Sequence, residues 1–245
     1  ELNLVTQEWK RLLFPEDTVP HRRGGHTASL YKHFMLVFGG SHKDSSISQL
    51  DLDSYRWSIM ECRGSKPQGR FYHSAVVHRD SLYLFGGCWG SKWEKRSPTN
   101  FDDIVELNLK TRSWSHIEGH GMRPEGVSRH TTVMYEYKIV LFGGKSENKL
   151  HNTIYIFDLE TKRWMQPKTE GPLPSKRYRH TSVIHEDHMF VFGGKENNLY
   201  FNDTYTLDFQ ATSLKMLVGI WMVNNGVDYS SQGLPHTMVS WLDSL

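Results

Sequence analysis

Residues 36–40 read LVFGG, and the same ending closes an apolar run at YLFGG (83–87), VLFGG (140–144) and FVFGG (190–194). The phenylalanines fall at 38, 85, 142 and 192, and a tryptophan recurs in step at 9, 57, 114 and 164. Upstream lie PHRRGGH (20–26), PQGRFYH (67–73), PEGVSRH (124–130) and PSKRYRH (174–180), whose His26, His73, His130 and His180 each precede the phenylalanine by twelve residues. In three of the four an arginine, Arg23, Arg70 or Arg177, stands three residues before that histidine. The distance from the phenylalanine to the next tryptophan varies most, at 19, 29 and 22 residues. A fixed segment followed by an elastic one is what a rigid hairpin and a surface loop produce.

Within the fixed segment, HTASLYKHFMLVFGG and HTSVIHEDHMFVFGG each hold two β-branched and aromatic runs split by a polar turn, a hairpin signal. The elastic loop leads into SQLDLDSYRW, DIVELNLKTRSW, NTIYIFDLETKRW or DTYTLDFQATSL. Each is an alternating run, a turn of Asp, Asn, Thr or Ser, and a strand that carries the tryptophan in the first three. Four strands per unit of about 50 residues follow, with no helical period inside the units. The paired glycines, Gly39 and Gly40, Gly86 and Gly87, Gly143 and Gly144, Gly193 and Gly194, remove side chains where a strand leaves the sheet close to a neighbour. Trp9, Trp57, Trp114 and Trp164 supply the bulk that small sheets need to pack on one another.

This grammar resembles the kelch repeat, whose period is about 50 residues and whose units are the four-stranded blades of a β-propeller. The resemblance covers residues 1–217 and implies an all-β kelch propeller. Four complete blades are expected at 21–61, 68–118, 125–168 and 175–217, with a partial blade over 1–13, because ELNLVTQEW (1–9) matches ELNLKTRSW (106–114). Kelch propellers usually have five to seven blades, so the chain is expected to be part of a larger ring. Leu214 takes the tryptophan position of the fourth unit, and Leu242-Asp243-Ser244 stands where another double glycine would fall. Residues 218–245 are therefore a degenerate closing blade, a linker helix or the start of another region. Pro235 is a plausible helix start, with Met238, Val239, Trp241, Leu242 and Leu245 at helical spacing.

By position, the resemblance places Arg23, Arg70 and Arg177, and the residues after the double glycines (Ser41, Cys88, Lys145 and Lys195), around a binding mouth. The third unit departs, with Val127 in place of arginine and Arg129 two residues later; Arg179 adds a further positive charge. Guanidinium groups in a concave mouth favour carboxylate or phosphate, so the expected ligand is an acidic or C-terminal carboxylate peptide. Alternatively each arginine braces its own blade through backbone carbonyls or an aspartate. The long second-unit loop, CWGSKWEKRSPTNFDD (88–103), is a second candidate surface, since Trp89 and Trp93 fall outside the tryptophan register. The four repeated histidines read as hydrogen-bonded structural residues. His116 and His120 do not lie on a helix that would align them for a metal, and HEDH (185–188) reads as a solvated turn.

The chain has 245 residues and a net charge of +2, which does not mark it as a nucleic-acid binder. Its two cysteines, Cys62 and Cys88, lack metal-ligand spacing and suit a reducing compartment. No apolar run approaches the roughly 20 residues of a membrane span, so a cytoplasmic location, or a nuclear one, is expected, with no membrane insertion. No phosphate loop, nucleophile elbow or HExxH is present, and no cofactor or bound metal is expected. The leading expectation is a non-enzymatic module that binds a protein or peptide. Kelch relatives imply a substrate receptor or adaptor of a ubiquitin ligase, a small-GTPase effector, or a cytoskeletal or transcriptional scaffold. The rival class is an enzyme. Kelch-like copper oxidases of the galactose-oxidase kind carry a Cys–Tyr crosslink, for which Cys88 is the candidate. The iron motif ExxxDxxxH of plant specifier proteins is absent, since no glutamate has an aspartate four residues on.

Overall fold

The computed structural model describes residues 1–15, 19–41, 45–90, 99–147 and 149–209. Trp93, Leu214 and the 218–245 tail, all singled out above, lie outside the described residues. Every regular element described is a β-strand, and no helix among these residues is long and apolar enough to cross a membrane.

The first blade is an antiparallel sheet of Thr27–Tyr31, Phe34–Phe38, Ile47–Asp51 and Arg56–Met60, in that order. The second comprises Ser74–His78, Ser81–Phe85, Ile104–Asn108 and Ser113–Ile117; the third Thr131–Tyr135, Lys138–Phe142, Ile154–Asp158 and Arg163–Met165. The fourth is described through three strands, Thr181–His185, His188–Phe192 and Thr204–Asp208. Arg63–Gly64 adds a short parallel strand to the outer edge of the second blade, and His120–Gly121 does the same for the third. The chain thus clips the outside of the next blade before entering it.

The turn between the outer two strands is built the same way each time. Asp51, Asn108 and Asp158 each accept hydrogen bonds at Oδ1 from the amides two and three residues on, an Asx turn. Asn3 does the same with Val5 and Thr6, and Leu2 bridges to Trp9 as Leu107 pairs with Trp114. Residues 1–10 thus repeat the build of the outer hairpin of the second blade.

Neighbouring blades interlock through one repeated set of contacts. The double-glycine phenylalanine of one blade meets the repeated histidine of the next edge-on: Phe38 with His73, Phe85 with His130, Phe142 with His180, at 5.2–5.4 Å between ring centres. Each histidine Nε2 hydrogen-bonds a hydroxyl at the start of the preceding innermost strand, Thr27, Ser74 or Thr131, at 2.7–2.9 Å. Trp114 then packs on Phe38 and Trp164 on Phe85, and both indoles are buried. Tyr31 and Tyr135 add cross-blade hydrogen bonds to Asp80 and Asp187, so HEDH is more than a solvated turn.

Two tryptophans depart from the expected wedge. Trp9 is 80 % exposed, because its hairpin has no inner strands behind it among the described residues. Trp57 is half-buried, with Phe14 against its ring at 6.2 Å instead of a phenylalanine from a preceding blade. Between the third and fourth blades, where the corresponding indole would sit, a cleft is lined by Phe142, Ile154, Leu173, Met189 and Tyr205.

The glycine pairs have two separate causes. A Cβ on the first glycine would strike the next blade: Gly39 against the Arg70 carbonyl, Gly143 against the Arg177 carbonyl and His180 Cε1, both 2.8 Å away. A Cβ on the second would strike its own blade's histidine, as at Gly87 and Gly144, where His73 and His130 Cβ lie at 2.7 Å. Both positions also hold positive φ. Gly143→Ala is expected to cost about 2–3 kcal/mol, left-handed strain plus displacement of the neighbouring blade, read as a lowered urea midpoint.

Candidate functional site

The segment before each repeated histidine crosses the central end of its blade. Here Gly25, Tyr72, Arg129 and Arg179 occupy equivalent positions, all with φ between 57° and 72°. They hold one another: Tyr72 N–H donates to the Gly25 carbonyl, Arg129 N–H to Tyr72, and Arg179 N–H to Arg129, at 2.7–2.9 Å. A run of backbone hydrogen bonds thus follows the mouth from blade to blade, and its side chains project from fixed left-handed positions.

These side chains form a cationic, aromatic surface. The Arg129 guanidinium lies 4.1 Å from the centre of the Tyr72 ring and the Arg179 guanidinium 5.7 Å from it. The residues after the double glycines come back alongside. Ser128 bridges to Lys145, Tyr178 to Lys195 and Phe71 to Cys88, while Ser41 N–H donates to the Gly24 carbonyl and Ser41 Oγ accepts from Gly24 N–H. The Lys145 and Lys195 ammonium groups both lie about 6 Å from the Tyr178 ring, and Lys195 lies closer to Tyr200, 4.5 Å from its ring, and donates to its Oη. Among the described residues no carboxylate pairs with Arg129, Arg179, Lys145 or Lys195. Unpaired guanidinium and ammonium groups over aromatic faces suit an anionic ligand with some apolar surface.

Arg70 and Arg177 do not share this surface, which corrects the expectation that they touch a ligand. They are 1 % and 0 % exposed and brace their own blades. Arg70 forks onto Asp103 at 2.5 and 2.9 Å, donates to the Gly86 and Gln68 carbonyls, and stacks on Phe101. Arg177 repeats the set with Asp203, Gly193, Ser175 and Phe201, and its guanidinium holds the Asp203 carboxyl below its usual range. Arg23, half-buried, donates to the Gly39 and His21 carbonyls. In the third blade Val127 replaces the arginine and Thr153 stands where Asp103 and Asp203 do, so both partners change together.

Cys88 is also corrected as a contact residue. It is buried in a short strand with Trp89 that pairs with Thr99–Asn100, and burial pushes its thiol up, away from the reactive thiolate. Trp89 is half-buried, and Trp93 lies outside the described residues. His73, His130 and His180 are buried between blades, whereas His26 is exposed. His33, Asp51 and Asp53 bring ligand atoms within 4.8 Å of one another, but Asp51 is already committed to its Asx turn.

Sequence reasoning named Arg129, Arg179, Lys145 and Lys195 but not Tyr72 and Tyr178, the rings beside which those cations lie. It also missed Asp103 and Asp203. A signal for the aspartates was present: an aspartate immediately precedes the third strand in the second and fourth blades, both of which carry the arginine, and is absent from the blade with Val127.

Four-stranded blades joined by double-glycine contacts around a common mouth define a kelch-type β-propeller. The chain belongs to the kelch-repeat family, as the KLHDC2/KLHL20/DRC7 kelch-repeats domain matches residues 1–118 and 88–220. It is 29 % identical over 154 residues to the leucine-zipper-like transcriptional regulator 1 homolog of Drosophila melanogaster, spanning 62 % of this chain and 16 % of that protein. It is 32 % identical over 161 residues to human host cell factor 2 (57 % of this chain, 19 % of that one) and 27 % over 138 residues to human kelch domain-containing protein 3 (52 % and 35 %). The chain thus matches well under half the length of these relatives. The solved structure of YjhT superposes with a TM-score of 0.66 at 19 % identity, over 78 % of this chain and 64 % of that one, a likeness of fold.

Proposed function

We propose that the chain is a non-enzymatic protein-interaction propeller that grips an acidic segment or a C-terminal carboxylate of a partner protein at its mouth. The observation that carries this reading is the convergence of Arg129, Arg179, Lys145 and Lys195, unpaired among the described residues, on the rings of Tyr72 and Tyr178. Membership of the kelch-repeat family supports a protein as the ligand. Within that class the reading is an adaptor that presents its bound protein to a larger assembly such as a ubiquitin ligase, in a reducing compartment where the free Cys62 and Cys88 persist.

The test is fluorescence anisotropy with three labelled peptides: acidic with a free C-terminus, the same amidated, and a neutral control. Binding is expected for the acidic peptides, weakening as salt rises, and Arg129→Glu with Arg179→Glu is expected to reduce affinity at least tenfold without changing the melting temperature. Equal affinity for the neutral peptide, or an unchanged affinity in the double variant, overturns the reading. A greater loss on amidation than on removing the acidic side chains points to the terminal carboxylate.

A further inference from the structure

The two buried arginines fix more than the blade edges they touch. Arg177 donates to the Gly193 carbonyl ahead of residues 195–200 and forks onto Asp203 after them, with its guanidinium 4.4 Å from the centre of the Phe201 ring. Arg70 holds Gly86, Phe101 and Asp103 in the same way. In both blades the chain pinned between these contacts carries a short antiparallel pair. Lys195–Glu196 pairs with Leu199–Tyr200, and Cys88–Trp89 with Thr99–Asn100. The third blade, with Val127 and Thr153 instead, has there only a bridge of Lys145 to Leu150 among the described residues.

The fourth-blade hairpin is stiff for its size. Its turn has two residues, Asn197 and Asn198, and Asn197 holds φ at 50°, a left-handed conformation that asparagine tolerates. Tyr178 and Lys195 exchange both backbone hydrogen bonds, at 3.0–3.1 Å, and Phe201 N–H donates to the Gly194 carbonyl. The hairpin is thus tied at its root to the mouth segment and to the buried brace.

What it holds out is a cation beside an open ring. Lys195 and Tyr200 are a cross-strand pair, so their side chains share one face of the hairpin. The Lys195 ammonium lies 4.5 Å from the centre of the Tyr200 ring and donates to its Oη at 3.3 Å. An ammonium has three N–H donors, so others remain for a carboxylate. Tyr200 is 74 % exposed, although its backbone is paired and its hydroxyl bonded. An aromatic ring fixed in this way offers contact area at little cost in conformational entropy.

We propose that the 195–200 hairpin is the specificity arm of the mouth, with Tyr200 receiving an aromatic side chain that adjoins the acidic group held by Lys195. The preferred partner is then an acidic peptide segment with an aromatic residue next to its carboxylate. Charge complementarity comes from Lys195, and the apolar contact from the Tyr200 ring. The inference rests on the acidic-ligand reading above and adds to it a residue that chooses among acidic segments.

The test is fluorescence anisotropy on the full chain with two labelled acidic peptides of equal charge, one with phenylalanine beside the acidic group and one with serine. Wild type is expected to bind the phenylalanine peptide about fivefold more tightly, and Tyr200→Ser to bring the two within about twofold. The serine peptide's affinity and the melting temperature are expected to stay unchanged in Tyr200→Ser, and Tyr200→Phe to keep the preference. Equal affinity of the wild type for both peptides overturns this proposal while the acidic-ligand reading stands. Equal loss of both peptides in Tyr200→Ser also overturns it, since the ring then only steadies Lys195. If neither peptide binds wild type, both readings fall.

Discussion

Acidification from pH 7 to pH 5 is expected to remove about 6 kcal/mol of folding free energy, a large share of the 5–15 kcal/mol typical of a whole domain. The source is the histidine set between the blades. Burial, with Arg70 second, lowers the pKa of His73 from 6.5 to about 3; burial, with His180 second, takes His130 to about 3; burial, with Arg177 second, takes His180 to about 4. The fold holds these rings neutral, whereas the unfolded chain accepts protons on them below pH 6.5. Their contribution is therefore complete above 6.5 and is lost as the pH falls towards 4 and 3, about 2 kcal/mol per ring by pH 5. A protonated ring would also carry a second N–H into a packed interface, where His73 Nδ1 has no partner among the described residues. Urea unfolding at pH 7, 6 and 5 reads the effect directly. Midpoints that stay level would show that the rings reach water.

Arg177→Ala is expected to cost about 2–4 kcal/mol, since it takes the donor from the Gly193 and Ser175 carbonyls, removes the partner of the part-exposed Asp203 and opens a hole beside Phe201. The third blade shows how the same site is built without charge, from Val127 and Thr153. Arg177→Val combined with Asp203→Thr is therefore expected to recover part of the loss, because valine refills the space and the pair leaves no unpartnered ion. Urea denaturation of the two single variants and the pair forms the cycle. A double variant no more stable than Arg177→Val alone would show that the arginine acts through contacts other than the aspartate.

The architecture was readable because each unit repeats its instructions at fixed offsets. The twelve-residue step from His73 to Phe85 spans one hairpin, and Asn108 to Trp114 another, so local spacing carried the register. The wedge position of Trp114 and Trp164 was legible for the same reason, while the exposure of Trp9 depends on which sheet stands behind it, a non-local matter. The site was legible only in part. Whether an arginine reaches solvent or turns back into its blade depends on a partner 26 or 33 residues away, as Asp203 is from Arg177 and Asp103 from Arg70. Tyr72 and Tyr178 carry no offset that announces them, since only the ring of blades brings them beside cations from other units.

The left-handed run through Gly25, Tyr72, Arg129 and Arg179 has an evolutionary corollary. Main-chain atoms fix its path, and the conformation already suits residues as different as glycine, tyrosine and arginine. Side chains can therefore change by single substitutions along this inner hoop while the masonry of the toroid, held by rings and hydroxyls further out, stays as it was.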